Sequence, residues 1–135
     1  MNIVITGGSG FVGSYLCERL INDGHNLIVV DNLLTGSTEN ISDLMDNDNF
    51  SFIEHDVQNH IEIENKVDYV LHFASAASPK AYTEHPVNTL KAGSIGTLNT
   101  LGLAKKHNSQ YLLASTSEVY GLSLIHISEP TRPNC

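Results

Sequence analysis

Ile3-Val4-Ile5-Thr6-Gly7-Gly8-Ser9-Gly10-Phe11-Val12-Gly13 is the stretch on which the fold turns. An apolar run feeds a glycine-rich turn, and a helix-like stretch follows. Gly8, Gly10 and Gly13 satisfy the Gly-x-Gly-x-x-Gly spacing, and Asp31 stands 18 positions past the last of them. Glycines let a chain turn tightly off a strand and approach a pyrophosphate closely. The helix that follows offers unpaired N–H groups and a positive dipole end to the anion. In this context the pattern reads as a dinucleotide-binding βαβ opening.

Outward from that opening, apolar runs and helical periods alternate. Asn2 to Thr6 reads as the first strand, and Phe11, Val12, Tyr15, Leu16 and Leu20 recur at helical spacing until Asp23-Gly24 stops the helix. Leu27-Ile28-Val29-Val30 has the unbroken apolar character of a parallel strand buried on both faces. Asp31 closes it, at the strand end where ligands of open α/β sheets bind. A short helix is expected over Thr38 to Met45, and a third strand at Phe50-Ser51-Phe52-Ile53. A weak segment, Val57 to Lys66, leads to a fourth strand at Tyr69 to Phe73. A long helix over about Val87 to His107 carries Leu90, Leu98, Leu101 and Ala104 on or near one face, with Lys105-Lys106-His107 at its C-terminus. Tyr111 to Ala114 is the fifth strand. Helical crossovers between five strands predict a Rossmann-type, doubly wound parallel α/β sheet in the order 3-2-1-4-5.

Charge and composition narrow the partners. The 135 residues are 41% hydrophobic and carry a formal net charge of −8, with only 7 Lys and Arg. A nucleic-acid or membrane-surface partner needs clustered basic residues, so neither is expected. No run approaches the roughly 18 apolar residues of a membrane span, and Met1 leads straight into a strand, so a cytoplasmic location is expected. Cys17 and Cys135 make no disulfide framework. No two of the seven histidines have the i, i+4 spacing of a helical metal site, and no metal is expected. The Asp31 carboxylate would accept from adenosine ribose hydroxyls and repel a 2′-phosphate, favouring NAD over NADP.

Three further segments carry a resemblance. Asp31-Asn32-Leu33-Leu34-Thr35-Gly36, His72-Phe73-Ala74-Ser75-Ala76-Ala77-Ser78-Pro79 and Ser115-Thr116-Ser117-Glu118-Val119-Tyr120-Gly121 resemble the extended short-chain dehydrogenase/reductase (NAD-dependent epimerase/dehydratase) superfamily. Within it, the chain is most similar to the UDP-glucuronic acid decarboxylase (UDP-xylose synthase) family, and the helix from Thr89 to Lys105 shares that similarity. Ala76 departs from it, standing where the family usually has proline.

The resemblance implies a redox-neutral decarboxylation. NAD takes a hydride from C4 of UDP-glucuronate, the 4-keto acid loses CO2, and the hydride returns to give UDP-xylose. On the matching positions Gly10, Phe11 and Val12 would line the pyrophosphate, with Gly7 and Gly13 completing that turn. Asp31, Asn32, Thr35 and Gly36 would hold the adenosine half, and Asp56 and Val57 would meet the adenine. Phe73, Ala74, Ser75 and Ala114 would run beneath the cofactor. Lys91 and Asn99 would contact the substrate. Thr116 would bond the reacting sugar, with Ser117 and Glu118 near the carboxylate and C5, where a proton must be delivered. The related 4,6-dehydratases carry Thr-Asp-Glu at this turn, and Ser117 in its place favours decarboxylation.

The superfamily's Tyr-x-x-x-Lys base motif is absent from these 135 residues. After Gly121 the family pattern stops, and Leu122 to Cys135 resembles translated adapter or cloning sequence. Residues 1–121 are therefore expected to be an incomplete NAD-binding domain, inactive by itself, of a protein that is a homodimer at full length. Two alternatives stay open: another NAD-dependent nucleotide-sugar epimerase or 4,6-dehydratase, and a non-catalytic nucleotide-binding module.

Overall fold

The computed structural model describes residues 1–76 and 79–116. Nine elements follow one another: β1 (Asn2–Thr6), α1 (Phe11–Asn22), β2 (Asn26–Asp31), a 3-10 helix (Thr38–Leu44), β3 (Phe50–Glu54), β4 (Tyr69–His72), α2 (Pro79–Glu84), α3 (Pro86–His107) and β5 (Gln110–Leu113). All strand pairings are parallel and the order is β3-β2-β1-β4-β5, as the sequence predicts.

Alternation along the central strands sends side chains into two core layers. Val4, Val30 and Val70 pack on one face with Val57, Ile61, Ile63, Val67, Leu103 and Ala104. Ile3, Ile5, Leu27 and Val29 pack on the other with Cys17, Ile41 and Phe50. Each such aliphatic side chain contributes about 1.5–3 kcal/mol when fully buried, which is why runs such as Leu27 to Val30 can be read from sequence alone.

The crossover from β3 to β4, where the sequence offers only a weak segment, is not helical, so not every crossover of the sheet carries a helix. In this stretch Ile61 and Ile63 alternate with Glu62 and Glu64, a period of two that gives a helix no apolar stripe. Instead Val57, Ile61, Ile63 and Val67 drop singly into the core from an irregular chain. The short α2 has no sequence signal, because Pro79–Glu84 is too brief to show a period.

The buried faces of the helices also differ from the expected ones. In α1 it is Gly13 and Cys17 that face the sheet, with Leu16, Leu20 and Ile21 partly buried beside them. Phe11 is 78% exposed and its ring meets Tyr15 edge-on at 5.4 Å on the solvent side. Helix α3 buries Gly96, Thr100, Leu103 and Ala104, while Leu90 is 71% exposed and Val87, Leu98 and Leu101 share that outer surface. Burial forces the thiol of Cys17 up to about 12, so it behaves as a small hydrophobe.

Both helix ends follow their sequence signals. Gly24 (φ 87°) ends α1, with the His25 amide donating to the Leu20 carbonyl. Asn108 (φ 54°) ends α3 in the same way, the Ser109 amide donating to Ala104. These conformations set opposite expectations for two glycines. Gly24→Ala forces a side chain into the left-handed region and should lower stability by about 1 kcal/mol. Gly102→Ala, inside α3 with open space where its Cβ would stand, should raise it by about 0.5–1 kcal/mol. Thermal melting of the two variants should show shifts of opposite sign.

No helix among the described residues is long and apolar enough to cross a membrane.

Candidate functional site

The carboxyl ends of the five parallel strands gather most of the residues singled out by sequence. β1 delivers the glycine turn, β2 delivers Asp31, β3 leads to Asp56, β4 leads to Phe73, Ala74 and Ser75, and β5 leads to Ala114 and Thr116. The Ala114 amide donates to the His72 carbonyl at 3.1 Å, so the last two run side by side.

The tight geometry belongs to Gly7, Gly10 and Gly13. Gly7 has φ 73° and its amide donates to the Val30 carbonyl at 2.9 Å. A Cβ there would stand 2.8 Å from the Phe73 carbonyl and the Ala74 nitrogen. The Gly10 amide returns to the Gly7 carbonyl at 3.2 Å, and a Cβ on Gly13 would meet that same oxygen at 2.4 Å. Gly8, read from sequence as the first glycine of the motif, serves packing instead: its missing side chain makes room for the Val29 methyls. Gly10 caps α1 without a side-chain bond, and no acid occupies the first turn. The amides of Phe11, Val12 and Gly13 therefore have no intrahelical acceptor and face an anion-ready end.

Asp31 is only 7% exposed. Its Oδ2 accepts the Ser9 hydroxyl at 2.5 Å and the Ser9 amide at 3.2 Å, and Oδ1 accepts the Leu33 amide at 2.8 Å. A carboxylate has about four lone-pair sites. With three donors in place, room for one ribose hydroxyl remains. Ser9, which occupies an unspecified position of the Gly-x-Gly-x-x-Gly spacing, is the hub here. Its carbonyl also accepts from Asn40 Nδ2 at 2.8 Å and the Ser37 amide at 3.3 Å, and Gly36 is small because a Cβ would lie 2.5 Å from the Ser9 hydroxyl. The loop from Asp31 to Asn40 is thereby fastened to the glycine turn. Within it, Leu33 holds φ 60°, a conformation that costs about 1–2 kcal/mol for a side chain of its kind and is retained by flanking bonds from Asp31 and Asn32.

The adjoining rim is polar. Asn32 Nδ2 donates to Asp56 Oδ2 at 3.3 Å, while the Gln58 amide and side chain hold the same carboxylate. Val57 has its side chain buried under Gly96, so only its main chain is available to a base. Asn99 donates from Nδ2 to the Val57 and Asn59 carbonyls at 2.6 and 3.1 Å, which ties α3 to this rim and leaves Oδ1 for any substrate. Lys91 is exposed on α3, and Thr35 and Thr116 are exposed at loop positions. Ser117, Glu118, Tyr120 and the segment 122–135 lie outside the described residues.

Two hollows of about 340 and 320 Å³ are open on the surface. The larger, lined by Met1, Lys66, Asp68 and His107 among others, lies at the amino ends of the strands, away from these groups. The smaller is bounded by Phe11, Ser14, Tyr15, Glu18 and Asn40 beside the glycine turn. Among the described residues no group of three His, Cys, Asp or Glu side chains is placed to hold a metal ion.

The residues fit a dinucleotide. Three glycines leave a cradle that a Cβ would fill, open amides face it, and a buried carboxylate stands behind it.

Comparison with known proteins agrees. Residues 3–134 match the model of the NAD dependent epimerase/dehydratase family. UDP-glucuronic acid decarboxylase 1 of Danio rerio is 52% identical over 124 residues, covering 92% of this chain and 29% of that protein. The chain thus spans under a third of the length of that curated relative. Among solved structures, a UDP-galactose 4-epimerase superposes with a TM-score of 0.77 at 30% identity, over 100% of this chain and 45% of its own. The dTDP-glucose 4,6-dehydratase of Bacillus anthracis, in complex with NAD, gives 0.73 at 26% identity, over 91% and 40%.

Proposed function

The chain belongs to the NAD dependent epimerase/dehydratase family, and from that premise we propose that it forms the NAD-binding part of an enzyme that converts UDP-glucuronate to UDP-xylose and CO2. The observation that carries the reading is the joining of the Gly7–Gly10–Gly13 cradle to Asp31 through Ser9, in a chain half identical to UDP-glucuronic acid decarboxylases.

Each residue then has a proposed task. The open amides of Phe11, Val12 and Gly13 hold the diphosphate, and Gly7 and Gly10, whose own amides are bonded within the turn, shape the cradle around it. Asp31 accepts a ribose hydroxyl on its remaining lone pair and repels a 2′-phosphate. Asn32, Thr35, Gly36, Asp56 and the main chain at Val57 border the adenosine. Phe73, Ala74, Ser75 and Ala114 form the floor. Bound NAD supplies a reversible hydride acceptor for the sugar C4. Oxidation there makes the neighbouring carboxylate a β-keto acid, whose C5–CO2 bond breaks with its electrons delocalised onto the C4 oxygen. C5 must next receive a proton, and Glu118, with Ser117 and Thr116 beside the sugar, is assigned to that transfer. Lys91 and Asn99 Oδ1 bind the substrate. The Tyr-x-x-x-Lys pair that the resemblance requires is not among these 135 residues, so the isolated chain should release no CO2. The full-length enzyme works in the cytoplasm as a homodimer.

The test is product analysis with the full-length protein. UDP-glucuronate should yield UDP-xylose and CO2 with no net NADH. Glu118→Gln should lower kcat by about 10²-fold or more while KM moves little, since proton delivery acts in the transition state. A 4-keto-6-deoxy sugar from a dTDP-hexose, without CO2 from UDP-glucuronate, would assign the chain to a dehydratase. A C4-epimerised sugar would assign an epimerase, and NAD binding without turnover of any of these a non-catalytic module.

A further inference from the structure

Thr6 at the end of β1 and His72 at the end of β4 are register partners, buried to 0% and 3% exposure. Their side chains share the sheet face that α3 covers. Thr6 Oγ1 lies 2.6 Å from His72 Nδ1, and the amides of Phe73 and Ala74 donate to the same oxygen at 3.1 and 3.2 Å. A hydroxyl has two lone pairs and one proton. The Ala74 amide takes one lone pair and the Phe73 amide, shared with the Thr6 carbonyl at 3.0 Å, leans on the other, so the proton is directed at Nδ1, which is then the bare nitrogen of a neutral ring. The ring's own proton then sits on Nε2, facing the Ala92 carbonyl of α3 at 3.4 Å. Gly96 lets the helix approach, since a Cβ there would stand 2.7 Å from Val57 Cγ2, and it brings α3 to the edge of the ring, whose Cε1 such a Cβ would touch at an ordinary 3.7 Å.

We infer that Thr6 and His72 are positioning residues: together they clamp the Phe73–Ala74 turn against Gly7 and fasten it to α3, so that the cofactor floor and the helix bearing Lys91 hold one fixed relation. This deepens the nucleotide-binding reading and rests on it for its effect on affinity. An apolar pair would fill the same space at less desolvation cost, but it would leave the Ala74 amide without its acceptor. That amide is one of the backbone atoms that would stand 2.8 Å from a Cβ on Gly7. A displaced Phe73–Ala74 turn therefore disturbs the glycine turn directly. The groups that meet the ring, Thr6 from β1 and Ala92 and Gly96 from α3, are uncharged. Burial accordingly keeps the imidazole below its ordinary pKa, in agreement with the neutral ring that the hydrogen bonds require.

The experiment uses the full-length protein. Long-range proton–nitrogen NMR at neutral pH should show His72 as the Nε2–H tautomer. Protonated Nδ1 or an imidazolium overturns the assignment without any variant. Thr6→Val removes the hydroxyl at constant shape and should weaken NAD binding about tenfold and speed amide exchange at Ala74 by a similar factor. Thr6→Ser should restore both to within about twofold. His72→Asn, which keeps an acceptor near the Nδ1 position, should bind NAD more tightly than His72→Phe. Equal NAD affinity in Thr6→Val and the unaltered protein, or a failure of Thr6→Ser to rescue, overturns the positioning role. If the unaltered protein binds no NAD, the nucleotide reading fails, and the tautomer with Ala74 exchange still decides the clamp.

Discussion

Gly13→Ala should reduce NAD affinity by about 100-fold or more, although alanine is the better helix former by about 1 kcal/mol. The side chain would place Cβ 2.4 Å from the Gly7 carbonyl oxygen and 2.9 Å from the Gly8 Cα, both backbone atoms that cannot rotate away. Relief requires moving the glycine turn off the helix end, which removes the concavity and misaims the first-turn amides. Overpacking of this kind costs about 1–3 kcal/mol in ordinary cores, and here the strain falls on the groups proposed to bind the ligand. Gly7→Ala adds a forced positive φ to three backbone contacts at 2.8 Å and should be at least as damaging. Gly8→Ala would run first into side chains of the core, the Val29 methyls and the Cys17 sulfur, so it should lower the melting temperature more than it lowers affinity. Calorimetric titration with NAD, read beside thermal melting, separates the three. Wild-type affinity in Gly13→Ala would remove the glycine turn from the binding site.

Asp31→Ala should cost about 3 kcal/mol of stability and abolish the proposed preference for NAD over NADP. The substitution strips acceptors from the Ser9 amide, the Ser9 hydroxyl and the Leu33 amide together. Ser9 is fully buried, so water cannot replace the lost partner, and each stranded donor costs about 1–3 kcal/mol. Release of Leu33 from its left-handed conformation returns part of that. Asp31→Asn should recover little, because one amide oxygen cannot serve both Ser9 and Leu33 and its NH2 confronts one of those donors. Denaturant unfolding with titrations of both dinucleotides gives the two readouts. Unchanged stability would mean that the Ser9 contacts carry no weight in the fold, and retained discrimination would mean that the 2′ position is read elsewhere.

What the sequence shows plainly is whatever depends on repetition. Leu27 to Val30 is apolar at every position because a parallel strand is covered on both faces, and right-handed crossovers then leave few orders for five strands. Helix faces were less legible. Phe11, Tyr15, Leu90 and Leu98 have the hydrophobicity of core residues but stand outward, while the surfaces against the sheet are built from Gly13, Cys17, Gly96 and Thr100. Small residues allow close approach of helix to strand, yet they contribute little to any apolar period. The site shows the same division. Glycine spacing and Asp31 announce a nucleotide cradle, but that Gly7 and not Gly8 takes the strained conformation depends on Phe73 and Ala74, which are distant in sequence. Ser9, Thr6 and His72 act through partners that only the folded sheet supplies.

The central strand acquires its two neighbours at very different times. The partner of β1 on one edge, β2, where Thr6 meets Val30, is synthesised soon after it, but the other edge of β1 waits for His72 and the rest of β4. At roughly 5–20 residues per second, a ribosome needs a few seconds to pass from one to the other. Through that interval the most deeply buried strand of the finished sheet presents a bare row of amides and carbonyls, the form in which strands recruit foreign partners. The codons between Asp31 and Tyr69 therefore set how long the nascent protein is vulnerable to mispairing, and faster decoding of that stretch should raise the soluble yield.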